Sequence, residues 1–325
     1  MKTRFVHPFY CLGFLSGSLV GWACLWAQQP PQFARIQSLT NREIRLELSA
    51  ATAPRYRIDT ATLPGPWIPL VTLAGATSLL HTDSAAPFLP ERFYRAEELT
   101  ATNVLTGDHL VTSEGEVVIH PVYHASLILG WNGTTIYVDP GNPASRFTGL
   151  PRADLILLTH EHSDHYDAAT VNAIKGSNAV ILATSTVYDS MSSNLKALTT
   201  VLTNGATTNF LTMTIDAVPA YNLTTTHHPR GRGNGYVLTL GGERIYLSGD
   251  TEDIPEMRAL SGIDVAFVCM NLPYTMTISQ AVSAVREFQP KVVYPYHYSL
   301  TANATGFKSQ LGTDLGIEVR LRKWY

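Results

Sequence analysis

The stretch Thr159-His160-Glu161-His162-Ser163-Asp164-His165-Tyr166-Asp167 (THEHSDHYD) decides how the rest of the chain is read. It directly follows the apolar run Ala153-Asp154-Leu155-Ile156-Leu157-Leu158, whose length and composition predict a buried strand. Imidazoles and carboxylates are expensive neighbours for such a strand unless something binds them. His160 and His162, at i and i+2, project to one side of an extended chain, so both reach one ion. Asp164 and His165 follow a tight turn later, displaced enough to serve a second ion. Neutral imidazole and carboxylate are donors that Zn2+ accepts. The competing reading is a polar helix N-terminus, capped by Asp167 or Ser163, with the histidines merely exposed.

The flanking chain, roughly residues 104–325, alternates strand and helix patterns. Residues 117–122, 126–129 and 135–139 read as successive strands, residues 167–175 as a helix, and residues 179–183 as the next strand. Residues 236–240 and 244–247 flank Gly241-Gly242, the signature of a hairpin. Ala281, Val282, Val285 and Phe288 share one face of a helix over 279–288, and Val292-Val293-Tyr294 begins a last buried strand. Meander and crossover strands together predict a layered α/β protein with two sheets between helices.

Strand ends supply further polar groups. Asp250, in Ser248-Gly249-Asp250-Thr251, offers a carboxylate able to bridge two ions, and Gly249 leaves room for a close backbone approach. His297, in Tyr294-Pro295-Tyr296-His297-Tyr298, would complete the second ion with Asp164 and His165. Alone, these would be a turn aspartate and an edge histidine; beside the first stretch they read as ligands. Arg230 and Arg232, in Pro229-Arg230-Gly231-Arg232-Gly233, are candidates to hold an anionic substrate group, against the plainer reading of a solvated loop.

The order strand–HxHxDH, later histidine, strand–Gly-Asp, strand–His resembles the metallo-β-lactamase superfamily over roughly residues 104–325. Val218-Pro219-Ala220-Tyr221-Asn222, His228-Pro229, the run from Gly249 to Met257 and the run from Asn271 to Thr277 look closer still to a bacterial MBL-fold branch in the style of the ascorbate-6-phosphate lactonases. The resemblance implies an α/β fold, specifically the αβ/βα four-layer sandwich. It also implies two Zn2+ per chain, with Mn2+ or Fe2+ as alternatives. The implied reaction is hydrolysis of an ester, lactone or phosphodiester by a metal-bridging hydroxide that Asp164 orients. Ligand roles carry over to His160, His162, Asp164, His165, Asp250 and His297. The chain departs from the wider pattern where Tyr221-Asn222 stand in place of the first ion's third histidine. His228 is expected to fill that place from the following loop, with His227 as the alternative. His124, in Tyr123-His124-Ala125-Ser126, stands where the closer branch also has histidine and is expected in the pocket as a catalytic group.

Upstream, Lys2 and Arg4 precede an uncharged apolar run over 9–26, so residues 1–27 read as a signal peptide for export, periplasmic or extracellular. An uncleaved anchor and lipidation at Cys24 are the alternatives. Residues 33–98 carry short alternating runs broken by Pro54, Pro64-Gly65-Pro66, Gly75 and Pro87, which predict a small all-β sandwich. It resembles immunoglobulin- or fibronectin-like modules and reads as a spacer or adhesion unit. His81 and Asp83 read as isolated turn residues, and residues 100–108 as the linker. Past the leader the single cysteine, Cys269, allows no internal disulfide and reads as a buried strand residue. With 45% hydrophobic residues, 15% charged and a net charge of −3, the chain is globular and has no field to gather nucleic acid or anionic membrane. The expected partner is a small-molecule substrate; the oligomeric state stays open. A non-catalytic metal-holding or adhesion protein, with the N-terminal module as the working part, is the competing function. Iron-based oxidoreductase chemistry in the same ligands is a third, and no flavin module supports it.

Overall fold

The structure, a computed structural model, describes residues 31–49, 55–62, 65–75, 78–101 and 105–324. The signal peptide expected over 1–27, with Cys11 and Cys24, and the breaks Pro54 and Pro64, lie outside the described residues. The chain divides into two compact units, residues 1–102 and 103–325.

The first unit holds β1 (Phe33–Ser38), β2 (Ile44–Leu48), β3 (Arg55–Ala61), β4 (Ile68–Ala74), β5 (Leu79–Asp83) and β6 (Phe93–Leu99). They pair antiparallel as β1-β2-β5 and β4-β3-β6. Alternation sends Ile44 and Leu46 of β2 and Ile58 of β3 into one shared core, which Leu70 and Val71 of β4 both join where the β3–β4 register shifts. β2 is preceded by a turn in which Arg42 takes φ 68°. His81 and Asp83 are not turn residues: both are buried on β5. Asp83 accepts from Arg92 Nε (2.9 Å), Tyr94 Oη (2.7 Å) and the Ala85 amide (3.1 Å). The expected linker is shorter than read, since Gly107 already belongs to a strand.

The second unit contains two sheets. The first comprises β7 (Gly107–Thr112), β8 (Gly115–Tyr123), β9 (Ser126–Trp131), β10 (Thr134–Val138), β11 (Ala153–Leu157), β12 (Lys175–Ala183) and β13 (Thr199–Val201). The second comprises β14 (Thr207–Phe210), β15 (Met213–Ala220), β16 (Gly233–Leu240), β17 (Glu243–Leu247), β18 (Val265–Cys269), β19 (Val292–Tyr296) and β20 (Glu318–Val319). Both repeat one pattern: four strands meander antiparallel, then three join in parallel. Parallel joins need crossovers, supplied by α1 (Ala168–Ile174), α2 (Ser185–Ser190) and α3 (Ser193–Lys196) in the first sheet. In the second they are α4 (Pro255–Arg258), α5 (Ile278–Phe288) and α6 (Thr301–Leu311).

Side-chain parity sorts the core. Leu127, Leu129, Ile136, Val138, Leu155 and Leu157 join a cluster with Ile215, Leu238, Ile245 and Phe267 of the second sheet. The intervening Ile128, Tyr137 and Ile156 join Val171, Ile174 and Val187 of α1 and α2. β18 is buried throughout, as a parallel strand covered on both faces must be. The hairpin at Gly241-Gly242 forms with both glycines at positive φ (54° and 85°), the conformation a two-residue turn requires. Thr277 and Gln280 form the capping box that starts α5. The carboxyl ends of β10, β11, β17, β18 and β19 are where open α/β sheets present their ligand sites.

Candidate metal centre

β11 ends at Leu157, and the chain then runs buried through Leu158, Thr159 and His160. What holds it is Asp139, which follows β10 at φ 43° and is fully buried. Asp139 accepts from the Thr159 amide (2.8 Å), Thr159 Oγ1 (2.7 Å) and His165 Nδ1 (2.8 Å). Sequence reading missed this residue, taking it as the last residue of the strand over 135–139, which ends at Val138. Gly141 was the available signal: a Cβ there would meet the Asp164 carbonyl oxygen at 2.2 Å, so only glycine lets the histidine-rich loop approach. Gly249 is likewise confined, at φ 59° with Thr159 Cβ 3.0 Å from its own would-be Cβ. Asp167 does cap α1, accepting from the Thr170 amide at 2.8 Å, but His160 and His165 are buried rather than exposed.

Two sets of donor atoms meet at Asp250. In the first, His160 Nε2 lies 3.1 Å from His162 Nδ1, and His228 Nε2 lies 3.2 Å from Asp250 Oδ2. Asp250 Oδ2 is 3.9 Å from His160 Nε2. In the second, Asp250 Oδ1 lies 3.4 Å from His165 Nε2 and 3.3 Å from His297 Nε2. Asp164 Oδ2 lies 3.6 Å from His165 Nε2, 3.3 Å from His297 Nε2 and 3.2 Å from His124 Nε2. Zinc bonds of about 2.0–2.1 Å in a tetrahedron put neighbouring ligand atoms roughly 3.3–3.4 Å apart, close to most of these separations.

The rings are aimed from behind. His165 Nδ1–H donates to Asp139 and His228 Nδ1–H to the Tyr274 carbonyl (3.1 Å). With the Thr159 hydroxyl proton spent on Asp139, its oxygen accepts from His160 Nδ1–H at 3.0 Å. All three therefore point Nε2 inward. His165 Nε2, His228 Nε2 and Asp250 Oδ1 are buried with no hydrogen-bond partner among the described residues. Acceptors converging on acceptors in a dry site fit a cation.

The electrostatics carry the same mark. Burial would lower His165, but the nearby Asp250 and Asp139 carboxylates outweigh it and hold the ring well above the ordinary histidine value. His160 is held well below it, by burial and then by the His165 charge. Burial would raise Asp250, yet His297 and His165 keep it well below the usual carboxylate range. Asp164 is lowered too, its burial offset by hydrogen bonds from His124 and His297.

His160, His162, Asp164, His165, His228, Asp250, His297 and His124 are thus brought together. His227 borders the same cavity but joins none of the donor sets, its ring packing against Tyr274 at 5.0 Å. Asn222, standing where a histidine was missing, donates its amide to the His228 carbonyl (2.8 Å) and so helps seat the loop that delivers His228. The two arginines depart from expectation. Arg230 is exposed, over the Tyr221 ring, and pairs with Glu256 (3.0 Å). Arg232 borders the cavity beside His162 and His228, but its guanidinium is held by Glu161 at 2.7 Å. Each guanidinium is thus paired with a carboxylate distant in sequence. Cys269 is buried, its thiol directed at the Thr251 carbonyl.

The family model described as the β-lactamase superfamily domain matches residues 119–297, more than half of the chain. A UPF0173 metal-dependent hydrolase of Thermus thermophilus is 32% identical over 186 residues, 54% of this chain and 81% of that protein. Its counterpart from Pyrococcus abyssi is 31% identical over 199 residues, 57% of this chain and 88% of that protein. A solved protein of Parabacteroides distasonis, assigned as a metal-dependent hydrolase, shares 44% identity at a TM-score of 0.62, over 67% of this chain and 99% of that one. A metallo hydrolase of Ignicoccus hospitalis, 23% identical at a TM-score of 0.55 over 64% of this chain and 95% of that one, is alike in fold. With matches of this extent laid over the histidine and aspartate sets just described, the chain belongs to the β-lactamase superfamily, as a metal-dependent hydrolase.

Proposed function

We propose that the protein is an exported hydrolase that holds two cations and cleaves an ester, lactone or phosphodiester bond in a small molecule. One observation carries this reading: the two oxygens of the Asp250 carboxylate face different histidine sets, Oδ2 toward His228 at 3.2 Å and Oδ1 toward His297 at 3.3 Å. A bridging carboxylate is what a paired site needs. By these separations His160, His162, His228 and Asp250 would hold one cation; Asp164, His165, His297 and Asp250 the other, with His124 beside Asp164 and His297. Imidazole with carboxylate suits Zn2+, and the more carboxylate-rich second set also suits Mn2+ or Fe2+.

Bound there, the cations would acidify a water and withdraw charge from the scissile bond. The chain's own groups do the rest. Asp164, whose side chain is 46% exposed at the mouth, accepts a hydrogen bond from the incoming water and orients it. Asp139 and Thr159 keep His165 and His160 in the tautomers that present Nε2. Arg232 contacts an anionic substrate group only after parting from Glu161. Leu223, Leu272, Tyr274 and Leu300 stand exposed on loops after β15, β18 and β19, offering an apolar lip to the organic part of the substrate. The parity of the core residues supports the αβ/βα four-layer order. The shared core of the first unit supports a small β-sandwich, immunoglobulin- or fibronectin-like, acting as spacer or adhesion module.

Elemental analysis beside a substrate panel tests the reading. The panel would hold bis(p-nitrophenyl) phosphate, a simple lactone and p-nitrophenyl acetate. We expect about two metal ions per chain and turnover in one class, abolished in Asp164→Ala. A chain without stoichiometric metal overturns it. Full metal with no turnover across the panel favours the non-catalytic, metal-holding alternative.

A further inference from the structure

Four donor atoms already surround the second cation position: Asp164 Oδ2, His165 Nε2, His297 Nε2 and Asp250 Oδ1. A tetrahedron is complete without His124, which nevertheless lies against it. His124 sits in the tight turn between β8 and β9 at φ 55°, a conformation that a residue with a side chain keeps only where its surroundings enforce it. Its amide donates to the Trp324 carbonyl (3.1 Å), and its own carbonyl accepts from the His297 amide (3.2 Å). Its Nε2 lies 3.2 Å from Asp164 Oδ2, and its ring lies on that of His297 with centroids 3.8 Å apart.

The far end of this chain of contacts is firm. Trp324 is buried, with its ring against Tyr296 and Phe267. Two residues earlier, Arg322 grips the buried carboxylate of Asp108 at 2.7 and 2.9 Å. By contrast, Asp164 is half exposed on a turn, and among the described residues its carboxylate is met by the rings of His124, His165 and His297. The first cation's donors are differently served: His160 leans on Thr159 and His228 on the Tyr274 carbonyl.

We propose that His124 is a positioning residue that clamps two donors of the second cation, holding His297 through its backbone and Asp164 through Nε2–H, with the Trp324 carbonyl locking the clamp. The two donors arise from different sheets, so the clamp also sets the span between them. This inference rests on the two-cation reading. It assigns His124 to the second position alone and gives residues 320–324 a part in the site that their distance in sequence conceals.

Metal titration of the full chain, stripped with a chelator and refilled with Zn2+ against a chromophoric competitor, tests it. The unaltered protein should show two affinities; failure to take two ions sinks the two-cation reading itself and is told apart by that control. His124→Ala should weaken one of the two by about 10–100-fold, the usual effect of removing a ligand's supporting partner, and leave the other unchanged. His124→Gln, whose amide N–H can still reach Asp164, should recover most of that loss. A chain ending at Lys323 should weaken the same position. Unchanged or equally reduced affinities in His124→Ala overturn the proposal. So does a failure of glutamine to rescue, which would make His124 a donor to the ion itself. The melting temperature of the metal-free form should be the same in the unaltered and His124 proteins, which separates positioning from a general loss of structure. If the shortened chain does not fold, the His124 pair decides alone.

Discussion

In the N-terminal unit, buried Asp59 meets the guanidinium groups of Arg57 and Arg95, and buried Asp83 meets Arg92, whereas Asp250, just as buried in the second unit, meets imidazoles alone. Desolvating a carboxylate costs several kcal/mol, and a fixed countercharge offsets that. The first pair of sites is therefore self-sufficient. Asp108 shows that the second unit can build such a site as well, since Arg322 and the Tyr294 hydroxyl close around it. The charge that lowers Asp250 comes from imidazoles, chiefly His297 and His165, and an imidazole can exchange its proton for a metal ion where a guanidinium cannot. Where a structural site brings its own cation, a binding site waits for one from solution.

Several substitutions break or sharpen that contrast. The largest effect should come from Asp250→Asn, which removes the carboxylate that the two-cation proposal uses as its bridge. Several kcal/mol of transition-state stabilisation lost corresponds to hydrolysis falling on the order of 10³-fold or more, with metal content dropping in parallel. Rate and metal assays on one sample check both. Next, Asp83→Ala leaves Arg92 buried and unpaired, which should destabilise the first unit by about 3–5 kcal/mol in a denaturant melt while metal content stays put. Asp139→Asn keeps the shape but weakens the support behind His165, so metal affinity should fall about 10–100-fold by competition titration. The smallest effect belongs to Arg95→Ala: half exposed, and sharing Asp59 with Arg57, it should shift stability by no more than about 1 kcal/mol.

Acid provides a graded version of the Asp83 test. Burial pushes this carboxyl up, but the Arg92 charge and the hydrogen bonds from Arg92 and Tyr94 outweigh it and leave it below its ordinary value. The folded value thus lies under the unfolded one of about 3.9, so the stabilisation is complete above that pH and is lost as pH falls through the folded value. Melts between pH 6 and pH 2 should show the first unit weakening below about pH 4. In Asp83→Ala that part of the slope should vanish; a slope that survives would trace acid sensitivity to another group.

The histidine loop was legible because its spacing leaves few alternatives: His160, His162, Asp164 and His165 follow a strand too apolar to carry them idly. The hairpin at Gly241-Gly242 and the helix over 279–288 were legible for equally local reasons, a turn dipeptide and a 3.6-residue stripe. What stayed hidden depends on contacts distant in sequence. Asp139 is a strand-end aspartate until Thr159 and His165 close on it. Arg230 and Arg232 look like anion holders until Glu256 and Glu161 are found opposite. α6 carries only Ala304, Phe307 and Leu311 as buried residues and no side-chain cap, so its local pattern is faint and packing decides it.

The repeated sheet pattern carries a consequence for the order of events during synthesis. His160, His162, Asp164 and His165 belong to the first sheet's loops, whereas His228, Asp250 and His297 belong to the second's. The ribosome makes His297 132 residues after His165 (297 − 165), and at about 5–20 residues per second that interval lasts roughly 7–26 s. During it His228 and then Asp250 emerge, so in the two-cation reading the first position's donors are complete before the second's, which wait for β19. A second cation held against a strong chelator therefore marks a chain whose two halves have already met.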